Sequence, residues 1–233
     1  MINKVKITDN DFPGLFGKAD YASTKAQKNY LIFNTAFLIV LIVVTFIFEN
    51  FNQSEFKFIS LSLIFASLIL NFTIFYFRFE QKWYEGRAIA ESIKTLSWKY
   101  MMKSRPFESS LGDAVADEKF IDYLNSLIGE KKSFFELVGG KFSSLSQITS
   151  KMRVVRSLDY NQRLDIYEVY RLNNQLKWYK QKSELNQSRK TYLLLFNTFL
   201  IILSLFVIVF DLELITDIRI TSGIIVIIVS TLA

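Results

Sequence analysis

Cysteine and histidine are both absent from this chain of 233 residues. Without thiols there is no disulfide framework and no thiolate metal site. Without imidazole there is no His-based zinc chemistry, no His general base and no Ser-His-Asp arrangement. Glycine (8) and proline (2) are scarce too, which removes the turn-rich composition of a sheet protein and favours long uninterrupted helices. None of the apolar runs reads as a secretory leader. The first apolar run begins only at Tyr30, behind a polar segment with five lysines, and no small-residue cleavage pattern follows it. What is abundant is bulk and greasiness: 23 Phe, 11 Tyr and 3 Trp.

Three stretches, Tyr30–Phe48, Phe58–Phe77 and Tyr192–Phe210, run 19, 20 and 19 residues without an ionisable charge. At about 1.5 Å rise per residue each crosses the roughly 30 Å hydrocarbon layer. A fourth run, Ile220–Ala233, has 14 residues. It reads as a spanning helix whose end is missing, with a short buried helix as the alternative. The predicted fold is therefore an all-α integral membrane protein: two transmembrane helical hairpins, extended by long cytoplasmic helices that form a stalk. Its divisions are an N-terminal juxtamembrane segment (1–29), a first hairpin (30–77), a cytoplasmic helical domain (78–191) and a second hairpin (192–233).

Lysine and arginine set the orientation. Residues 1–29 hold five and 78–190 hold twenty-one, whereas each short link holds one, Lys57 and Arg219. The links also carry Glu49, Glu55, Asp211, Glu213 and Asp217. The N-terminus and the central domain are expected in the cytoplasm and the hairpin tips outside. Anionic lipid headgroups then account for the net charge of +6, and no direct nucleic-acid contact is needed.

The hairpins read as copies. Tyr30 to Phe58 and Tyr192 to Ile220 both span 28 positions. Lys28-Asn29-Tyr30-Leu31 with Phe33-Asn34-Thr35 matches Lys190-Thr191-Tyr192-Leu193 with Phe196-Asn197-Thr198. Such a long fixed period points to duplication, and an even number of spans between the copies gives both the same orientation.

Between the hairpins, Phe79–Ser104 is rich in helix formers and is expected to continue the second span without a break until Pro106. Gly86, Ala90, Ile93 and Ser97 make a small-residue face on it. Arg87, Glu91, Lys94 and Trp98 lie three or four apart and can form an ion-pair ladder, or a solvated surface. A second helix is expected over Asp117–Leu137, ended by Gly139-Gly140; Lys141 follows without the glycine spacing of a phosphate-binding loop. A last helix, Asp159–Thr191, should run into the third span. Its Val169, Leu172, Leu176 and Tyr179 face should pack on the Phe79–Ser104 helix.

Several strings then resemble one family in order along the chain: Phe12-Pro13, Leu15-Phe16, Ala19-Asp20 and Gln27 before the first span; Trp83-Tyr84-Glu85-Gly86-Arg87-Ala88, Ala90-Glu91-Ser92-Ile93-Lys94, Trp98-Lys99-Tyr100 and Arg105-Pro106-Phe107 after the second; and Arg163-Leu164, Tyr167, Arg171 and Trp178-Tyr179 before the third. They resemble the SLATT superfamily, the SMODS- and SLOG-associating two-transmembrane effector domains of bacterial conflict systems, in a double, four-span form. One departure is that the sequence stops at Ala233, before the helix expected after the fourth run, the counterpart of Trp83–Pro106. The resemblance implies an antiphage effector of the bacterial inner membrane. It would assemble as a homo-oligomer and open a pore that depolarises the membrane when a sensor or nucleotide-signalling partner from the same operon triggers it. Trp83, Arg87, Glu91, Lys94, Trp98, Trp178 and Tyr179 are the candidates for assembly and gating.

The spans hold no Asp, Glu, Lys or Arg, which disfavours a proton relay or coupled transport. They do hold amides and hydroxyls. Asn34, Thr35, Asn71, Asn197 and Thr198 are the candidates for lining a pore or for hydrogen bonding between helices, because an unpartnered amide in lipid costs several kcal/mol. Four spans enclose too little for a conducting path, so a pore requires several subunits. The competing reading is a non-conducting anchor that recruits a cytoplasmic defence enzyme. The chain itself is not expected to be an enzyme or to need a cofactor, since Glu91 and Glu168 have no evident base, metal cluster or phosphate loop beside them.

Overall fold

The computed structural model describes residues 5–51, 54–138 and 146–210, and among these every regular element is helical. After a 3-10 turn at Asp9–Asp11 come α1 (Gly14–Asn50), α2 (Ser54–Phe77), α3 (Phe79–Met101), α4 (Asp113–Glu130), α5 (Lys132–Val138), α6 (Ser150–Ser157), α7 (Tyr160–Tyr167) and α8 (Asn174–Phe210). A π-helical stretch, Glu168–Asn173, joins α7 to α8. The described residues fall into two compact units, one from Met1–Lys28 and Phe79–Tyr179, the other from Asn29–Arg78 and Lys180–Ala233.

The first unit is built around α3. Its small-residue face is fully used: Gly86 is buried, and Ala90, Ile93 and Ser97 are 0% exposed. A Cβ at Gly86 would lie 3.0 Å from Ser23 Cβ and 3.1 Å from the Phe134 ring, so glycine is what admits both neighbours. Aromatic packing closes the far end. Tyr100, Phe107 and Phe120 are all 0% exposed, with ring centroids 5.0–5.9 Å apart. Local chemistry ties in the flanks. Thr149 Oγ1 accepts from Met152 N to cap α6 and donates to Asp11 O, and Gly14 N donates to Ser146 O.

Four expectations change here. Arg78 takes φ 49°, a left-handed conformation, so α2 and α3 are separate helices rather than one. α3 stops at Met101, before Pro106, because Lys103 turns left-handed (φ 52°) and its amide and that of Ser104 close back on Tyr100 O and Lys99 O. That pair of bonds is a Schellman cap. The Asp117–Leu137 helix starts earlier, at Asp113, and breaks at Lys131 into α4 and α5; Gly139-Gly140 lies outside the described residues.

The fourth correction concerns the helix at Tyr160 onward. Val169, Leu172, Leu176 and Tyr179 are 48–69% exposed and do not pack on α3. Arg163, Tyr167, Arg171 and Gln175 are the less exposed positions, at steps of four. In a straight α-helix a step of four drifts about 40° around the axis each time. The wider π turn takes up that drift, so the inward face is one that a uniform helical period does not select.

Among the described residues two helical stretches are long enough and hold a window apolar enough to cross a membrane, Gly14–Phe48 and Glu55–Met101, and both run from one unit into the other. Their most apolar windows are 0% and 11% buried. The third apolar run is helical as part of α8; the fourth lies outside the described residues. At the tip between α1 and α2, Phe51 stacks on Phe56 at 4.4 Å and meets Phe46 edge-on at 6.3 Å. Along α2 the buried residues are Ser60 and Ser67, seven apart, beside exposed Phe58, Phe65 and Phe72. Small residues on the covered stripe and large ones outside is the pattern of a membrane helix.

Candidate functional site

The charged residues of α3 do not form a ladder along one helix. Arg87 pairs with Glu91 at 2.8 Å but also with Asp20 of α1 at 3.2 Å. Glu91 reaches Arg171 of the π turn at 3.8 Å, and Arg171 donates to Thr95 Oγ1 at 3.3 Å. Lys94 pairs with Asp9 at 2.7 Å, its Nζ lying 5.2 Å from the ring centres of both Phe12 and Phe16. These side chains keep partial contact with water, so each pair is weak alone. Together they cross-link the N-terminal turn, α1, α3 and the helix after Asp159.

An open groove of about 770 Å³ runs over this network, lined by Arg87, Glu91, Lys94, Tyr170, Trp178 and Tyr179 among others. Five of the seven assembly candidates thus gather around one groove. Trp98 does not line it; it is buried (3% exposed) with its ring against Phe12 at 6.0 Å and Tyr167 at 5.4 Å. Trp83 is not at the groove either. It is half-buried, its ring stacks on Tyr84 at 4.7 Å, and its carbonyl accepts from Ser23 Oγ.

Sequence reasoning passed over the most buried charge. Arg156 is 2% exposed, held by Asp113 at 3.0 Å and by the carbonyls of Tyr100 (2.8 Å) and Phe107 (3.2 Å), with its guanidinium over the Tyr100 ring. Beside it the Tyr100 hydroxyl donates to Asp117, which also pairs with Arg153 at 2.5 Å. Burial first, and then that carboxylate, push the Tyr100 phenol above its ordinary range. The only local signal was the alternation of Met152, Val155 and Arg156 on one short helix, which does not separate a buried arginine from a solvated one. No group of acidic residues suited to a metal ion occurs among the described residues.

The polar residues of the spans stand differently. Asn34 Nδ2 donates to Tyr30 O of its own helix at 2.8 Å, and Thr198 Oγ1 to Leu194 O at 2.8 Å. Thr35 and Asn71 are exposed. Asn197 Oδ1 is buried with no donor, and so is Ser60 Oγ with no partner.

A helical unit with a closed core, joined to long exposed apolar helices, defines a helical membrane protein. Residues 13–164 match the family of SMODS and SLOG-associating 2TM effector domain 3, and the chain belongs to that family. It is a SLATT-type membrane effector domain, in line with the resemblance read from its motifs. No curated protein and no solved structure gives a match to it.

Proposed function

We propose that the chain is the membrane effector of a bacterial antiphage defence system, a double, four-span form whose copies assemble in the inner membrane into a pore. The N-terminus and the Phe79–Tyr179 helices face the cytoplasm and receive the trigger from a sensor or nucleotide-signalling partner; opening depolarises the cell. The chain performs no catalysis in this scheme.

The observation that carries the reading is the state of the spans. Apolar helices 0–11% buried, with Thr35 and Asn71 exposed and Asn197 Oδ1 unpartnered, need neighbours in lipid. Other copies of the chain supply them, and the amides they bring together line the path. Leucine at Asn34 and at Asn197, with assembly checked by crosslinking, tests this. Membrane potential and entry of an impermeant dye are followed in cells carrying the genomic neighbours. Loss of depolarisation is expected, more completely for Asn197→Leu, since the Asn34 amide already bonds its own helix. Unchanged conductance rejects the pore-lining role. A polarised, growing membrane with an active trigger present leaves the non-conducting scaffold in its place.

A further inference from the structure

Nothing in the local sequence asks for the π turn at Glu168–Asn173. Residues 160–191 contain neither glycine nor proline, so an unbroken α-helix is what the backbone alone favours there. A π turn is rare, occurs mostly as a single turn inside an α-helix, and is frequent at functional sites. The packing supplies the hold, and supplies it unequally. Before the turn, Arg163 is 8% exposed with its Nη1 donating to Leu158 O at 2.6 Å, and the Tyr167 ring lies against Trp98 at 5.4 Å. After it, Arg171 reaches α3 through Nη1, 3.8 Å from Glu91, and through Nη2, which donates to Thr95 Oγ1 at 3.3 Å. Both contacts are long, and Glu91 is shared, its other oxygen being held by Arg87 at 2.8 Å. Arg171 and Glu91 line the 770 Å³ groove with Tyr170 and Asn174, within reach of anything that docks there.

We propose that this turn is a register switch. While Arg171 stays on Glu91 and Thr95 the turn is π, and the inward positions are Arg163, Tyr167, Arg171 and Gln175. Once Arg171 lets go, the backbone closes to α. The inward positions past Tyr167 then become Tyr170 and Asn174, the i+3 and i+7 places of a regular helix. One residue of register is about 100° of rotation. α8 continues without a break from Asn174 to Phe210, so the rotation passes along it and re-aims Asn197, whose Oδ1 has no donor. Two arrangements of one packed element, told apart by a loose ion pair, are what a transmitted signal requires. Its use as a gate rests on the pore reading; the change of register does not.

The chain contains no cysteine, so one introduced cysteine reports alone. Asn174 is exposed and Gln175 half-buried in the present register. In the full chain in uncharged detergent, Asn174→Cys should react faster with a soluble maleimide than Gln175→Cys. Arg171→Gln removes both contacts with α3 and should reverse that order. Deleting Val169, an exposed position, takes out the extra residue of the π turn. Arg171 then stands three places after Tyr167, an α-helical step, and the inward face is kept without a π turn. In the Arg171→Gln chain this deletion should restore the parental order, which a merely misfolded variant would not do. An unchanged order in Arg171→Gln, or a reversed order that survives the deletion, overturns the switch. In cells carrying the genomic neighbours, Arg171→Gln should depolarise without the trigger, and the deletion alone should block the response to it. Reversal with an unaltered membrane potential keeps the switch and counts against the pore reading alone.

Discussion

The two units of this molecule solve opposite problems with similar amounts of apolar side chain. In the Met1–Lys28 and Phe79–Tyr179 unit, Leu15, Ile93, Phe107, Phe120 and Val155 are all 0% exposed, and even an arginine is taken inside, held through its Nε and Nη1 by a carboxylate and two carbonyls. In the described part of the other unit, Phe58, Phe65, Phe72 and Phe75 are 64–79% exposed, and serine is what gets covered. The first unit folds by removing apolar surface from water. The second cannot be stable in water on those terms, because its apolar surface is the outside. Its solvent is lipid, where backbone hydrogen bonds inside each helix matter more than a buried core.

The largest effect should come from a hole in the first core. Phe107→Ala is expected to cost about 3–5 kcal/mol in thermal unfolding of the detergent-solubilised chain, whereas Phe72→Ala, on an exposed face of α2, should leave that transition in place. Equal losses from both would mean that the second unit also packs a core in the single chain, and the contrast would fail. Overpacking comes next. Gly86→Leu pushes side-chain atoms into Ser23 and the Phe134 ring, and should cost about 1–3 kcal/mol even though leucine is the better helix former.

The junction residue gives a smaller effect and sharpens the boundary between the units. Arg78 holds φ 49°. Arg78→Gly should be tolerated or slightly stabilising, and Arg78→Ile should lose about 1 kcal/mol or more, because a β-branched residue resists the left-handed conformation. If both variants behave like the parent in unfolding, α2 and α3 are continuous in the membrane.

The smallest effect is confined to alkaline pH. Tyr100 titrates above its ordinary value of about 10 when folded. Above that pH the unfolded chain releases the phenolic proton and the folded chain keeps it. The stabilisation is therefore complete below about pH 10 and declines as pH rises beyond it. Alkaline titration should show Tyr100 phenolate absorbance appearing together with unfolding. Tyr100→Phe should flatten the part of the stability decline above pH 10 that Tyr100 causes; an unchanged decline would show that Tyr100 does not govern it.

Much of this was legible in the residues. Runs such as Tyr30–Phe48 need no tertiary information, because length and absence of charge alone decide whether a helix can cross lipid. The Gly86–Ser97 stripe was legible for a similar reason: a 3.6-residue period of small side chains can only be a close-packed face. Period failed at Val169–Tyr179, where a π turn rotates the helix and the apolar positions end outside. It failed at Arg78 too, since nothing in Phe77-Arg78-Phe79 marks a left-handed break.

What the sequence determined alone was the class of molecule: helical, apolar enough for a membrane, without thiol or imidazole chemistry, and bearing the ordered motifs of its family. Tertiary structure decided which charges meet. Asp9 with Lys94 and Asp20 with Arg87 are pairs separated by 85 and 67 residues, and Arg156 sits where three segments close around it. Local pattern records which face of a helix is polar. Only the packing of distant segments decides which polar groups lose their water, and so which must find partners.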